Sequence, residues 1–224
     1  MYHQLKFTFF CLLSILIISC NQNKQVKSET TSAKALAIAN ANGVDEFGKV
    51  KSLEFTFNVE KDSAHVAERH WKWMPAEDKV IFYDKTDSTV FKRSDTSTAI
   101  LKKLNGQFTN DEYWLIFPYH LKWDAGYTFT EKDTATGPVT DKKYHKSTVQ
   151  YTGKAGFTPG DMYELYTDKN NVIQEWAFHK GGSKEPSLMT SWENYSNYNG
   201  LKIAKDHKSK DGKFKIYFTG IAVQ

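Results

Sequence analysis

Cysteine is almost absent from this chain. Its 224 residues contain two, Cys11 and Cys20, and Cys11 lies within an N-terminal apolar segment. A domain that begins after residue 20 can therefore form no internal disulfide, which excludes the disulfide frameworks of small secreted domains. Its stability must come from a hydrophobic core, and a chain of this length with 40% hydrophobic residues can supply one.

The chain also lacks a strong excess of charge of either sign. It has 30 Lys+Arg and 26 Asp+Glu, a net charge of +4. Residues 1–19 contain one of these side chains, Lys6, so the rest carries 29 − 26 = +3. Charge this weak and evenly mixed argues against nucleic acid as a partner.

Patterns typical of catalysis and metal binding are missing as well. Gly181-Gly182-Ser183 fits neither a nucleophile elbow nor a phosphate loop, and we interpret it as a hairpin turn or bulge. Asp168 to Asn171 lacks the calcium-loop pattern and is predicted as a turn. His65 and His70, with Glu68 between them, do not give the three or four converging ligands of a zinc site. We expect no enzyme, no metal and no cofactor.

Long apolar runs are limited to Phe7 to Ile18, which has the length of a signal-peptide core rather than of a membrane span. It leads into Ile17-Ile18-Ser19-Cys20, and the polar residues 21–24 follow. This arrangement resembles the lipobox of bacterial lipoproteins, in which the cysteine is acylated. An acylated Cys20 would hold the protein on a membrane. The alternative is a plain secretory signal with an incidental Cys20.

The lipobox interpretation divides the chain into three parts. Residues 1–19 are predicted as a lipoprotein signal peptide, residues 20–33 as a flexible polar tether, and residues 34–224 as one folded domain. Neither an Asp after Cys20 nor an acidic run is present there, which favours the outer membrane, facing the periplasm.

Alternating apolar residues dominate the folded part. Leu53, Phe55, Phe57 and Val59 alternate with polar residues, as in a half-buried strand. Asn199-Gly200 and Asp211-Gly212 favour tight hairpins between antiparallel neighbours. The predicted strands are Leu53 to Val59, Arg69 to Met74, Lys79 to Asp84, Thr89 to Arg93, Gly126 to Lys132, His145 to Thr152, Asp161 to Thr167, Val172 to His179, Ser187 to Tyr195, Leu201 to His207 and Phe214 to Phe218. We predict a mainly β fold, a single curled antiparallel sheet of about ten strands.

Two helical segments interrupt this β pattern. Ala33 to Ala41 is predicted as a short helix that Asn42-Gly43 ends. Asn110 to Asp124 holds the densest aromatic cluster and is predicted as a short helical plug, capped by Asn110 or Asp111 and ended or kinked by Pro118. Asp133 to Lys143 is predicted as a polar loop.

Aromatic residues make up 15% of the chain, and in a curled sheet they either fill the core or line a cavity. The candidate ligand-binding residues are Trp114, Phe117, Phe129, Tyr151, Trp176 and Trp192. His120 and Asp124 would share one face of a helix, where a carboxylate could orient an imidazole. A capping or turn role is the other interpretation of that pair.

Three segments carry a resemblance to a known family: Tyr113 to Pro118, Gly160 to Tyr166 and Gly181 to Ser187. They are similar to segments of an uncharacterised family of Bacteroidota lipoproteins. The layout of the C-terminal strands looks like the lipoprotein-carrier (LolA/LolB-like) superfamily. That resemblance implies an unclosed half-barrel whose concave apolar side is covered by helices.

These expectations combine into two hypotheses. The first is a membrane-anchored periplasmic lipoprotein that binds an apolar ligand, such as a lipid or acyl chain, in a half-barrel cavity. The second is a scaffold lipoprotein of the cell envelope with a solid core, whose loops 133–143 and 181–186 would meet a protein partner.

Overall fold

The computed structural model describes residues 32–152 and 158–224. The predicted signal peptide, Cys20 and nearly all of the predicted tether lie outside the described residues.

The described chain contains two α-helices and thirteen strands. The helices are α1 (Ala33–Ala41) and α2 (Ala99–Trp123). The strands are β1 (Leu53–Lys61), β2 (Ala64–Met74), β3 (Lys79–Tyr83), β4 (Ser88–Lys92), β5 (Tyr127–Thr136), β6 (Lys143–Tyr151), β7 (Met162–Thr167), β8 (Ile173–His179), β9 (Leu188–Ser191), β10 (Ser196–Tyr198), β11 (Leu201–Ile203), β12 (Asp206–Lys208) and β13 (Phe214–Val223). Short 3₁₀ turns lie at Val44–Lys49, Pro75–Glu77 and Lys180–Gly182.

All strand pairs are antiparallel, and the strands form an unclosed, curled arrangement. Six strands follow the order β12-β13-β1-β2-β3-β4, five follow β5-β6-β7-β8-β9, and β10 pairs with β11. The two larger sheets meet where Glu193 bridges to Asp206 and where the Lys208 amide donates to the Ser191 hydroxyl. The predicted mainly β, antiparallel and unclosed fold is confirmed. The strands of the described residues are divided between two larger sheets and one two-stranded ribbon, however, rather than lying in the single sheet that was predicted.

The short N-terminal helix α1 has the predicted bounds. Its Ser32 cap accepts a hydrogen bond from the Lys34 amide, and Gly43 follows its end with a φ of 89°. A side chain at Gly43 would place its Cβ 2.0 Å from the Gly200 carbonyl oxygen, so the helix stop also depends on a close backbone approach. The Tyr119 hydroxyl donates to the Asn42 carbonyl and ties α1 to α2.

The central plug is a helix, as predicted, but its start was placed wrongly. Helix α2 begins at Ala99, with Thr98 as its cap, rather than at Asn110 or Asp111. Pro118 kinks it, because the backbone leaves helical geometry at Ile116, yet the helix continues to Trp123. Tertiary packing outweighs the cost of the proline there, since the residues around it are buried.

Three loop predictions can also be compared with the structure. The predicted polar loop at Asp133 to Lys143 is shorter, because β5 continues to Thr136 and β6 begins at Lys143. Asp168 to Asn171 is a turn, in which the Asp168 carboxylate accepts from the Asn170 and Val172 amides. Gly181 and Gly182 have positive φ angles in the turn between β8 and β9, as the hairpin interpretation requires.

The core lies between α2 and the concave face of the sheet. The largest fully buried side chains come from both layers: Trp71, Trp192, Tyr119, Tyr151, Phe55, Phe57, Phe108 and Phe117. Ring pairs join the layers, for example Trp71 with Phe108 at 5.5 Å between centroids.

Candidate ligand-binding cavity

A cavity of about 690 Å³ runs beside α2, between this helix and the inner face of the sheet. We call it the α2 cavity. Its helix side is formed by Lys102, Asn105, Gly106, Thr109, Asn110, Tyr113 and Trp114. Its other side is formed by strands and their connections, through Phe57, Val59, Arg69, Thr96, Thr158, Asp161, Tyr163, Trp176, Phe178, Leu188, Phe214 and Ile216. The volume falls within the range of small-molecule sites.

The helix side follows directly from helical geometry. The seven lining residues recur at intervals of three and four, which places them in a row along one face of α2. From Lys102 to Trp114 this row is roughly 18 Å long, given the rise per residue of an α-helix. It changes from small and polar at the Lys102 end to aromatic at the Trp114 end. The cavity is therefore elongated, with a polar end near Lys102 and an aromatic end near Trp114.

The strand side arises from alternation. Phe57 and Val59 on β1, Trp176 and Phe178 on β8, and Phe214 and Ile216 on β13 are each two residues apart, so each pair points to the same face of its strand. This face is the concave one. An apolar ligand would thus meet apolar side chains from three strands at once.

Stacked rings line the aromatic end of the cavity. The centroids of the Trp114 and Trp176 rings are 4.5 Å apart in an edge-to-face arrangement, and Tyr163 stacks on Trp176 at 5.3 Å. Trp192 lies behind Trp176, also at 5.3 Å. Such ring pairs add to the stability gained from burial, which makes this end rigid.

The six sequence-predicted ligand residues separate into two groups. Trp114 and Trp176 line the cavity and touch each other. Phe117, Tyr151 and Trp192 are buried in the core behind them, and Phe129 packs half-buried against that core from β5. A ligand contact of any of the six stays a prediction.

Sequence reasoning missed the polar half of the lining, including Lys102, Asn105 and Arg69. The signal available was the spacing of three and four from residue 102 to residue 114. It was not recognised because polar residues occupy the first half of that face, whereas a helix face turned toward a core is expected to be apolar.

One ion pair joins β2 to α2 beside the cavity. Arg69 donates from Nε and Nη2 to the two carboxylate oxygens of Asp111 on α2, both at 2.6 Å. The Trp71 indole N–H donates to the same carboxylate at 2.8 Å. Asp111 is fully buried, and its burial raises its pKa while Arg69 opposes that shift. The Arg69 guanidinium also stands over the Phe57 ring, 4.6 Å from its centroid.

A second buried polar cluster lies behind Tyr113, around His120. The two ring nitrogens of His120 face Glu112 Oε1 at 2.9 Å and Asp124 Oδ1 at 3.0 Å. The hydroxyls of Tyr113 and Tyr151 donate to Asp124 Oδ2 at 2.8 and 2.7 Å. We call these five residues the His120 cluster. His120 and Asp124 share one face of the helix, as the sequence predicts, and Asp124 also ends α2.

The electrostatics of the His120 cluster favour a charged imidazolium. Burial lowers the pKa of His120, but the Glu112 and Asp124 carboxylates outweigh burial and raise it to about 9. Burial likewise works to raise the pKa of Asp124, yet His120 and the two tyrosine hydroxyls hold it below its ordinary value. Burial raises the pKa of both tyrosines, so their hydroxyls remain donors. With 3% of the His120 side chain exposed, this arrangement suits a structural ion cluster.

Opposite shifts in two buried histidines predict a stability maximum near pH 6.5. The pKa of His120 lies at about 9, above its ordinary 6.5, so its stabilisation is complete below pH 6.5 and is lost as the pH rises to 9. Burial lowers the pKa of His207 to about 3. As the pH falls below 6.5, His207 therefore becomes protonated in the unfolded chain but stays neutral in the folded chain, and the folded state loses stability. Urea unfolding midpoints measured on both sides of pH 6.5 follow the loss of stability in the alkaline limb, from His120, and in the acid limb, from His207. His207→Phe should flatten the acid limb alone, whereas equal wild-type midpoints at pH 6.5 and 9 would refute the assignment to His120.

Residues 32–152 and 158–224 contain no group of three or more His, Cys, Asp or Glu side chains placed to hold a metal ion. His65 and His70 pair separately, His65 with Glu68 at 4.0 Å and His70 with Glu54 at 2.9 Å. In the same described segments, neither helix has the length and apolar character needed to cross a membrane.

Comparison with solved structures shows a shared fold. A DUF1329 family protein from Desulfovibrio piger matches with a TM-score of 0.50 and 8% identity, over 87% of this chain and 93% of that one. A LolA superfamily protein from Nitrosomonas europaea matches with a TM-score of 0.48 and 10% identity, over 86% of this chain and 94% of that one. At such identities the likeness concerns the fold alone. The resemblance to a LolA-like fold is confirmed, while the link to Bacteroidota stays a prediction.

No protein-family model matches the chain, and no curated protein matches it either.

Proposed function

We propose that this protein binds an apolar ligand, such as a lipid or acyl chain, in the α2 cavity, as a lipoprotein anchored through an acylated Cys20 to the outer membrane and facing the periplasm. The observation that carries the binding proposal is the cavity of about 690 Å³ beside α2. A site of this size lined by rings and aliphatic side chains suits a mainly apolar molecule. The lipobox supports the anchor, and the protein is proposed to be non-enzymatic.

The cavity favours this proposal over a scaffold with a solid core. Four apolar side chains line it and remain partly exposed: Val59, Phe178, Leu188 and Phe214. Partly exposed apolar side chains grouped around one opening are typical of a binding groove.

Native mass spectrometry with lipid extraction tests the binding directly. Residues 21–224, expressed without the anchor, contain every element of the core, and circular dichroism would first confirm that they fold. We expect a co-purifying acyl species, or uptake of an added fluorescent fatty acid. A wild-type protein that carries no lipid and takes up no hydrophobic probe would overturn the proposal.

Filling the cavity should abolish binding without harming the fold. Gly106 lines the cavity from α2, and a Cβ added there meets no atom within 4 Å. Gly106→Trp should therefore place an indole in the ligand's path and weaken probe binding by at least about tenfold. Probe titration followed by fluorescence measures the change.

Gly106→Ala is the matched control for this variant. It adds one methyl group, should leave binding intact, and should stabilise the helix by about 0.5 to 1 kcal/mol, because glycine is a poor helix former. Equal probe affinity in Gly106→Trp and Gly106→Ala would show that the ligand does not occupy the α2 cavity.

A further inference from the structure

The charges that line the α2 cavity are unevenly placed. Lys102 and Arg69 contribute positive charge, and Asp161 contributes negative charge. Asp161 directly precedes β7 and lies two residues before Tyr163, on the aromatic side of the cavity, where its Oδ1 accepts from the Gly181 amide at 2.7 Å. Lys102 lies at the opposite end of the helix row. An elongated ligand would therefore meet different charges at its two ends.

Lys102 is free to bind a ligand group. It is exposed, it lines the cavity, and no carboxylate pairs with its ammonium group within residues 32–152 and 158–224. Some lysines of the same segments have such partners, for example Lys122 with Asp45 and Lys146 with Glu164, so what sets Lys102 apart from the other unpaired lysines is its position in the cavity lining. An unpaired cation at one end of an apolar groove favours an anionic group there.

Arg69 offers a further donor nearer the aromatic end, because its partner Asp111 lies nine residues after Lys102 on α2. Its Nε and Nη2 atoms are held by Asp111, so the guanidinium is fixed in orientation. The third nitrogen, Nη1, donates to no protein group in the part of the chain that the structure describes. Arginine presents five N–H donors, so a ligand oxygen can still be bound without breaking the pair with Asp111.

We infer that the ligand is a single-chain amphiphile with an anionic head, a carboxylate or a phosphate, oriented along α2. The head lies toward Lys102, and the tail ends against Trp114 and Trp176. This inference rests on the proposed function and specifies its substrate class. Charge at one end and rings at the other fix the orientation of the bound ligand.

The dimensions agree with such a ligand. The row from Lys102 to Trp114 is roughly 18 Å long. The hydrocarbon core of a bilayer is about 30 Å thick, so one acyl chain spans roughly half of that, about 15 Å. A single extended chain with its head group therefore fits the row.

Photoaffinity labelling of the full chain in phosphatidylcholine nanodiscs tests this inference. Three probes with a diazirine near the end of a myristoyl chain would be compared: myristic acid, myristoyl lysophosphatidic acid, and neutral monomyristoylglycerol. Each is applied to the wild type, to Lys102→Met and to Lys103→Met. Lys103 is the matched control, because it is also exposed, at the next position of α2, but does not line the cavity.

We expect Lys102→Met to reduce labelling by an anionic probe about fivefold, the loss of one charge-assisted contact, and Lys103→Met to leave it unchanged. The neutral probe should label all three proteins equally, and labelled peptides should include Trp114 or Trp176. The two anionic probes distinguish a carboxylate head from a phosphate head.

Two outcomes would overturn the inference and separate it from the proposed function. If every probe labels all three proteins equally at the aromatic end, the ligand does not need an anionic head. The inference then fails, while the proposed binding of an apolar ligand stands. If no probe labels the wild type above an unrelated protein, both the inference and the proposed function fail.

Discussion

Replacing Asp124 with alanine should lower the free energy of unfolding by about 3 kcal/mol, because the variant leaves several buried donors without their acceptor. The carboxylate accepts from His120, Tyr113 and Tyr151 at 2.7 to 3.0 Å. It is also the second of the two negative charges that keep the His120 imidazolium stable. Urea unfolding followed by circular dichroism measures the loss.

The His120 cluster explains why so large an effect is expected from one residue near the helix end. Asp124 has 14% of its side chain exposed, so water replaces few of the lost contacts. Tyr151 comes from β6, and the hydrogen bond to Asp124 therefore joins α2 to the sheet. Losing it should loosen the aromatic end of the α2 cavity as well as lower stability.

A surface carboxylate provides the contrast. Glu77 pairs with Lys79 at 2.5 Å, but 59% of its side chain is exposed. Glu77→Ala should cost at most about 1 kcal/mol, as is usual for exposed ion pairs. Asp124→Asn, which keeps one acceptor oxygen, should fall between the two. If Asp124→Ala proved no more costly than Glu77→Ala, the cluster would not stabilise the fold.

The strands could be predicted from the sequence because the pattern that defines them is local. Leu53 to Val59 alternates along the chain, and Leu53, Phe55 and Phe57 are buried as that alternation requires. The Asn199-Gly200 turn likewise determines its own hairpin, since both residues take positive φ angles between β10 and β11. Ala33 to Ala41 was predictable for the same reason, with its cap and glycine stop adjacent in sequence.

The site was less predictable because its parts are distant in sequence or break a local rule. Glu112 and His120 are eight residues apart on either side of the kink at Ile116, a spacing that no regular helix brings together. The first half of α2 was ambiguous in the sequence, where Ala99 to Leu104 suggested one or two helical turns, because its cavity-lining face is polar. Pro118 suggested either an end or a kink, and only the buried packing around it explains why the helix kinks and continues.

Replacing Arg69 with methionine should destabilise the protein by about 3 to 5 kcal/mol, because Asp111 would remain buried without its counterion. Asp111 is fully buried, and two of its contacts come from this arginine. The Trp71 indole N–H would be left as its donor from the sheet, and a neutral donor compensates a buried charge less well than a guanidinium. Urea unfolding at pH 6.5 measures the effect.

The double variant Arg69→Met with Asp111→Asn distinguishes a buried charge pair from two independent contacts. If the cost of Arg69→Met arises from the unpaired carboxylate, then removing that charge should recover at least about 1 kcal/mol, and the two single effects will not add. The asparagine oxygen can still accept from Trp71, so the indole keeps its partner. Additive single effects would instead mean that Arg69 stabilises the fold mainly by packing on Phe57. Arg69 and Asp111 join β2 to α2 beside the cavity. The coupling free energy between the two substitutions therefore also measures how strongly this pair holds the two sides of the binding site together.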